Sequence, residues 1–457
     1  MERADGGRSM NVKPYRRPPE RAELGFLTEA GRVLTEDGRN PMLGHADKRL
    51  LIFADREMVE AKHLIRGEGF GVCWNERVIR WEHLGRRVQL LTDANGEPPE
   101  VFAGLLALRD YLGSRGAGIP STLGSASMSL LRATIDQPLY FPSGDVPRLG
   151  EFIGGRVQSF AGGYVGGFGS WDIQAAYTRT MGELCYNGRW KVWNRPPSDA
   201  SPFPCYYRAT VTSPGRLGLV PRRARKRPAG AGVEAEIMRD YPTGVRFSGI
   251  WNRAELDAAA ALGARVKVRK VWLGAGPLVY PFAPWWEAVK EARALPGWGG
   301  VFGKAMGNTL WSRFALTGEG SSVTYKGGWP TRRTTRKAPA HLSALDLTEL
   351  ITSTTRARLL SDMMGPYGPR LLAVHTDGAL LAPGPEPELP AYWRRKAAGD
   401  RLILIDPGTY SYRNTETDRT EYVVSGVPAR HAREVFRSRL AAAYPERGRS
   451  FVHGAVA

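Results

Sequence analysis

The sequence predicts a multidomain chain of mixed α/β and α+β architecture, on three observations. At 457 residues with 42% hydrophobic content, the chain can bury more than one core and divides into two or more domains. Apolar runs of strand length, such as Arg49-Leu50-Leu51-Ile52-Phe53-Ala54 and Leu371-Leu372-Ala373-Val374, alternate with longer segments of helical period. Two strand-like runs carry an aspartate at one end, Asp172 and Asp377, which is where an α/β protein displays reactive side chains.

The elements follow in chain order. The first 40 residues, rich in Arg, Gly, Pro and Glu without an apolar period, read as an arm. A buried strand at 49–54 is followed by a helix near Glu57–Ile65, short strands between Gly71 and Leu91, and a helix from Pro99 to Leu112. These make a small α/β unit. Further on, Cys205–Val211 reads as a strand and Pro221-Arg222-Arg223-Ala224-Arg225-Lys226-Arg227-Pro228 as a basic loop. An Ala-rich helix stops at Gly263, and the strand Arg265–Val271 sets Val266 and Val268 on one side. A helix Trp285–Arg293 turns at Pro296-Gly297 and returns from Gly300 to Phe314; a strand at Arg401–Ile405 and a helix at Val427–Ala443 complete the chain.

Composition points to an acidic polymer as partner. There are 64 Lys+Arg against 45 Asp+Glu, a formal net charge of +19 and a pI near 10, so phosphate attraction is expected to be strong and salt-sensitive. No apolar run reaches the ~18–20 residues that span a bilayer, and Met1 to Arg21 is polar and charged, unlike a signal peptide. A soluble, cytoplasmic, monomeric protein without membrane partners is expected. Cys73, Cys185 and Cys205 are widely spaced, which argues against structural zinc and against a disulfide framework.

Three fragments carry chemistry. Ser170-Trp171-Asp172-Ile173-Gln174-Ala175-Ala176-Tyr177 ends a strand on an acid. Lys304-Ala305-Met306-Gly307-Asn308-Thr309-Leu310-Trp311-Ser312 sets a lysine and an asparagine one helical turn apart, and Leu371 to Leu380 flanks Asp377 with apolar runs. In this order they resemble motifs A, B and C of a family B DNA polymerase, of a compact phage or protein-primed type. The resemblance implies a right hand of palm, fingers and short thumb behind a ribonuclease-H-like, degenerate exonuclease domain. Its parts would be a flexible arm at 1–40, the exonuclease-like domain at 41–150, a first palm segment with an insertion at 151–280, and fingers at 281–318. A second palm segment at 319–412 and a thumb at 413–457 would follow.

The resemblance also assigns roles. Asp172 and Asp377, with the backbone carbonyl of Ile173 and substrate phosphates, would hold two magnesium ions, for which manganese substitutes; magnesium prefers hard oxygen ligands and needs no histidine or cysteine cage. Tyr177 takes the place of the tyrosine that excludes a ribose 2′-hydroxyl, though the usual Ser-Leu-Tyr-Pro ending is here Ala175-Ala176-Tyr177-Thr178. Lys304 and Asn308 would face the incoming dNTP, joined by Lys290, Arg293 and Trp311. Phe152-Ile153-Gly154-Gly155-Arg156 resembles the Tyr-x-Gly-Gly segment between the exonuclease and polymerase modules, placing Gly154, Gly155 and Arg156 on primer-template DNA; a glycine pair alone reads as a tight turn. Tyr410, Tyr412 and Arg413 resemble the Lys-x-Tyr segment that grips the primer, without its lysine. Arg430, Arg433, Arg437 and Arg439 would face duplex phosphates.

Two departures keep other functions in view. His375 stands where motif C usually has its first aspartate, and the N-terminal unit offers Asp55 and Glu57 without the further carboxylates of a proofreading site. The alternatives are a DNA-binding polymerase relic and a 3′–5′ exonuclease. A priming protein as partner and a phage or mobile-element setting rest on the family resemblance alone.

Overall fold

The computed structural model describes residues 11–13, 23–28, 33–38, 50–55, 78–81, 86–91, 96–120, 122–136, 139–140, 142–147, 149, 154–198, 201–215, 217–222, 241–314, 319–326, 329–336, 344–424 and 429–444. The chain is a mixed α/β protein of two compact units. One comprises Met1–Ser143, Met181–Gly188 and Val279–Leu345; the other comprises Gly144–Thr180, Arg189–Leu278 and Asp346–Ala457.

The first unit holds a five-stranded sheet in the order Val33–Thr35, Glu23–Leu27, Leu50–Asp55, Arg86–Leu91, Val78–Trp81, with Leu50–Asp55 parallel to both its neighbours. The expected strand at 49–54 is this central one; the expected helix near Glu57–Ile65 lies outside the described residues. Four helices pack together beside it: Pro98–Ser114, Leu123–Thr134, Ala283–Arg293 and Trp298–Phe314. Leu123–Thr134 starts at a capping box in which Thr122 and Ser125 each accept the other's amide, at 3.0 and 2.8 Å, which satisfies two donors the first turn leaves over. Tyr111 links two helices by donating its hydroxyl to the Ala288 carbonyl at 2.7 Å; burial, then Glu291, pushes that hydroxyl up to about 12.

The second unit is built on a seven-stranded antiparallel sheet in the order Thr420–Val424, Thr409–Asn414, Trp393–Asp406, Gly163–Ile173, Gly378–Leu381, Leu371–Thr376, Arg156–Ser159. Along Gly163–Ile173 the pairing with Trp393–Asp406 shifts register three times, and such bulges bend a strand. Alternation then divides its side chains: Trp171 and Ile173 join one core with Val374, Leu381 and Trp393, while Phe168 joins a second with Leu380, Leu402 and Leu404. A five-stranded sheet runs Arg246–Asn252, Cys205–Thr212, Arg265–Gly274, Arg189–Trp193, Ser143–Gly144. The helix Arg253–Ala261 stops just before Gly263, as expected, and Ala429–Ala443 packs Ala432, Phe436 and Leu440 on Ile403 and Val424.

The helix Leu345–Leu359 is buried on nearly every side although it carries Asp346, Glu349 and Arg356. Each of these three side chains has a buried partner. Trp190 Nε1 donates to Asp346 Oδ2 at 2.8 Å, and Arg356 donates to both Glu255 oxygens at 2.6 and 3.0 Å and to Glu349 at 2.7 Å. Burial alone would lower the Arg356 pKa, but Glu255 and then Glu349 outweigh it and raise it well above the ordinary value.

Candidate active site

Asp172 is raised at the end of the central strand, with Gly378 opposite on one side and Arg394 on the other. Gly378 leaves room for the carboxylate, because a Cβ on it would run into Asp172 Oδ1 and displace it. Asp377 sits at the tip of the neighbouring hairpin between Leu371–Thr376 and Gly378–Leu381. Its amide donates to the His375 carbonyl at 2.8 Å across Thr376, whose φ is +63°. A β-branched residue at positive φ is strained by about 1–3 kcal/mol and persists where surrounding contacts over-determine it. One such contact is the Ile173 amide, which donates to the Asp377 carbonyl at 2.9 Å. Asp377 is thereby fixed to the residue that follows Asp172.

Both aspartates line one cleft of about 170 Å³, together with His375, Lys396, Gly408 and Tyr410. Lys396 Nζ lies 3.0 Å from Asp172 Oδ2, with the lysine more than half exposed. Burial, then the Lys396 ammonium, holds the His375 pKa below its ordinary value. Burial, then the Asp172 carboxylate, pushes the Tyr410 hydroxyl up to about 12, so Tyr410 stays a neutral wall. Among the described residues no group of three His, Cys, Asp or Glu side chains is placed to hold a metal ion. Two carboxylates in an open cleft suit a hard cation that takes its remaining oxygens from a phosphate ligand; they do not make a closed zinc cage.

Tyr177 opens the helix Ala176–Glu183, reached from Asp172 through Ala175 at φ +52°. Gly155 fits closely beneath it, since a Cβ on Gly155 would stand 2.6 Å from Tyr177 Oη and 2.7 Å from Thr376 Cα. The glycine pair is held from the other side by Arg356, which donates from Nη1 to the Gly154 carbonyl at 2.7 Å. The buried Arg356–Glu255–Glu349 cluster therefore supports the backbone on which Tyr177 and the strained turn rest.

Arg156, expected on DNA, is instead 1% exposed. It donates to the carbonyls of Gly218 at 2.5 Å and Leu219 at 3.3 Å and stands 4.1 Å over the Tyr241 ring, while burial pulls its pKa down to about 10. Although Arg156–Ser159 is an edge strand of its sheet, the guanidinium at its first residue finds carbonyls before it finds solvent, and nothing local in the sequence marks those partners. Tyr412 is likewise turned inward: its hydroxyl donates to Glu421 at 2.6 Å and its ring meets Phe168 edge-on at 4.9 Å. Arg413 is half-buried and pairs with Asp418 at 2.5 Å. Of the expected primer-gripping residues, Tyr410 alone lines the cleft.

In the first unit, Lys304 and Asn308 are exposed on one face of Trp298–Phe314, in line with Val301, and Trp311 continues that stripe partly buried. Lys290 pairs with Glu287 at 2.5 Å, and Arg293 is partly buried. Asp55 ends a strand; its side chain, Glu57 and Phe152 lie outside the described residues. Sequence reasoning missed Lys396 and the Arg356 cluster. Arg394-Arg395-Lys396 reads as a solvated basic run, and only the pairing of its strand with Gly163–Ile173 brings it to Asp172.

No family model and no curated protein matches the chain. Solved structures do. Phi29 DNA polymerase in its orthorhombic crystal form aligns with a TM-score of 0.52 at 15% identity, covering 68% of this chain and 62% of that one. Phi29 DNA polymerase complexed with primer-template DNA and incoming nucleotide substrates aligns with a TM-score of 0.53, also at 15% identity, covering 70% and 63%. The chain thus spans less than two thirds of the length of these polymerases. What it shares with them is the fold, which is polymerase-like.

Proposed function

We propose that the chain is a template-directed DNA polymerase that adds dNTPs to a primer 3′ end. The observation that supports this best is the joining of Asp172 and Asp377 at one cleft by the Ile173–Asp377 hydrogen bond, within a fold shared with a DNA polymerase. Asp172 and Asp377, with the Ile173 carbonyl, are the residues that would hold magnesium or manganese. When bound, a pair of such ions stabilises the attacking and leaving oxygens of an in-line displacement at phosphorus. The chain's own residues do the rest. Tyr177, backed by Gly155, sets the space under the sugar; the Lys304–Asn308 face, with Trp311, Lys290 and Arg293, receives the triphosphate; Gly154, Gly155 and Tyr410 lie along the primer-template. Palm, fingers and thumb, the degenerate exonuclease domain of 41–150, and replication of a phage or mobile element belong to the same reading, as does a priming protein as partner.

A DNA-binding polymerase relic is the second reading, favoured by the Lys396–Asp172 ion pair and by His375 in motif C. Primer extension by the purified chain in magnesium and in manganese separates the two: the enzyme extends, the relic binds the same primer-template and does not. A mismatched labelled primer without nucleotides tests the exonuclease alternative and is expected to remain full length.

A further inference from the structure

The five-stranded sheet presents a charged face that the catalytic reading does not use. Its strands Cys205–Thr212, Arg246–Asn252 and Arg265–Gly274 send Tyr207, Ala209, Val211, Trp251 and Val271 into the core, so alternate residues point the other way. Register lines these up in rows. Thr212 lies between Arg246 and Arg265, Thr210 between Ser248 and Lys267, and Arg208 between Ile250 and Lys270. Arg208, Arg246, Arg265, Lys267 and Lys270 are all exposed, and the three strands contain neither Asp nor Glu.

Such a face is costly without a counter-charge, because like charges directly opposite each other in a sheet repel, and Arg208 and Lys270 are a direct cross-strand pair. At this pair the face deepens into a cleft of about 630 Å³, lined by Arg208, Lys270, Ile250 and Trp272 and walled by residues 144–147, where Asp145 is the one acid. Lys270 Nζ stands 4.8 Å over the Trp272 ring. Rows of cations about 7 Å apart along the strands, beside an apolar and aromatic floor, suit a flexible polyanion with flat apolar groups.

We propose that this face is a second nucleic-acid surface, binding a single strand by its phosphodiester backbone on Arg208, Lys267 and Lys270. A duplex would need the phosphate contacts but not the apolar cleft. The surface does not depend on the Asp172–Asp377 site being catalytic.

Binding of a fluorescent unstructured oligodeoxynucleotide to the full chain, in EDTA over a salt series, tests this apart from catalysis. The double variant Arg208→Gln, Lys270→Gln is expected to flatten the slope of log K against log salt by about 1.4, at ~0.7 for each lost single-strand phosphate contact. The variant Lys13→Gln, Arg419→Gln removes the same charge from exposed positions elsewhere and should leave the slope in place. Lys270→Glu should weaken binding while raising the melting temperature, since it sets an acid opposite Arg208; a merely solvated face would gain the stability without losing affinity. Equal slopes for the two double variants overturn the proposal. So does a loss confined to duplex DNA, or a loss seen only for polyglutamate, which would make the partner an acidic protein segment.

Discussion

Ile173 donates its amide hydrogen to the carbonyl of Asp377 at 2.9 Å, although 203 intervening residues separate them in the chain. This bond ties the end of the central strand to the tip of the hairpin, so the backbone itself holds Asp172 and Asp377 at one place. A carboxylate-to-amide exchange at either site should therefore change the chemistry of the cleft and leave its frame standing.

Gly155 is predicted to tolerate no side chain. Gly155→Ala would place a Cβ against Tyr177 Oη and the Thr376 backbone, and forcing a methyl into a packed site costs about 1–3 kcal/mol. The tyrosine can give way, but the Thr376 backbone cannot. Thermal unfolding should show the loss, and Tyr177→Phe in the same chain should restore only part of it; full restoration would place the conflict at the tyrosine alone.

Tyr177 is predicted to control sugar choice. Tyr177→Ala should raise incorporation of ribonucleotides relative to deoxyribonucleotides with little effect on melting, because the side chain is only partly buried. Competition between a labelled rNTP and its dNTP measures this, and an unchanged ratio assigns the ring to packing.

Arg356 is predicted to be among the most destabilising sites in its unit. Arg356→Met strands Glu255 and Glu349, both about 1% exposed, without their common partner, and breaking a buried pair costs about 3–5 kcal/mol. Adding Glu255→Gln and Glu349→Gln should recover much of that loss in chemical denaturation. A single variant as stable as wild type would show the cluster to be dispensable.

His375 predicts the pH response in metal-free buffer. Its folded pKa lies below the ordinary ~6.5, so as pH falls the unfolded chain takes up the proton first. The contribution of this residue is present above the unfolded pKa and is lost as pH falls from there towards the folded value. Melting temperatures of wild type should drop faster than those of His375→Asn over that window; parallel curves would remove His375 as the cause.

The strands and helices with a clear period were legible in the sequence: the hairpin around Asp377, the Trp285–Arg293 helix with its return, and the strands at 205 and 265 stand within a few residues of where apolar spacing put them. The helix Leu345–Leu359 was not. Its Asp346, Glu349, Thr352 and Arg356 look like a solvent face, and only distant partners such as Glu255 and Trp190 make their burial possible. Arg156 misled for the same reason, since the Gly218 and Leu219 carbonyls that hold it are over sixty residues away. Local pattern reveals which residues are apolar; it does not reveal which polar residues a tertiary contact will satisfy.

Magnesium-dependent primer extension by wild type, Asp172→Asn and Asp377→Asn, set beside their affinity for the same primer-template, tests the central claim most directly. Wild type should extend the primer, and each variant should bind DNA nearly as well while losing extension by far more than tenfold, as expected when a metal loses a ligand worth several kcal/mol. Extension by either variant at about a tenth of the wild-type rate or better, or none by wild type in magnesium or manganese, would contradict it.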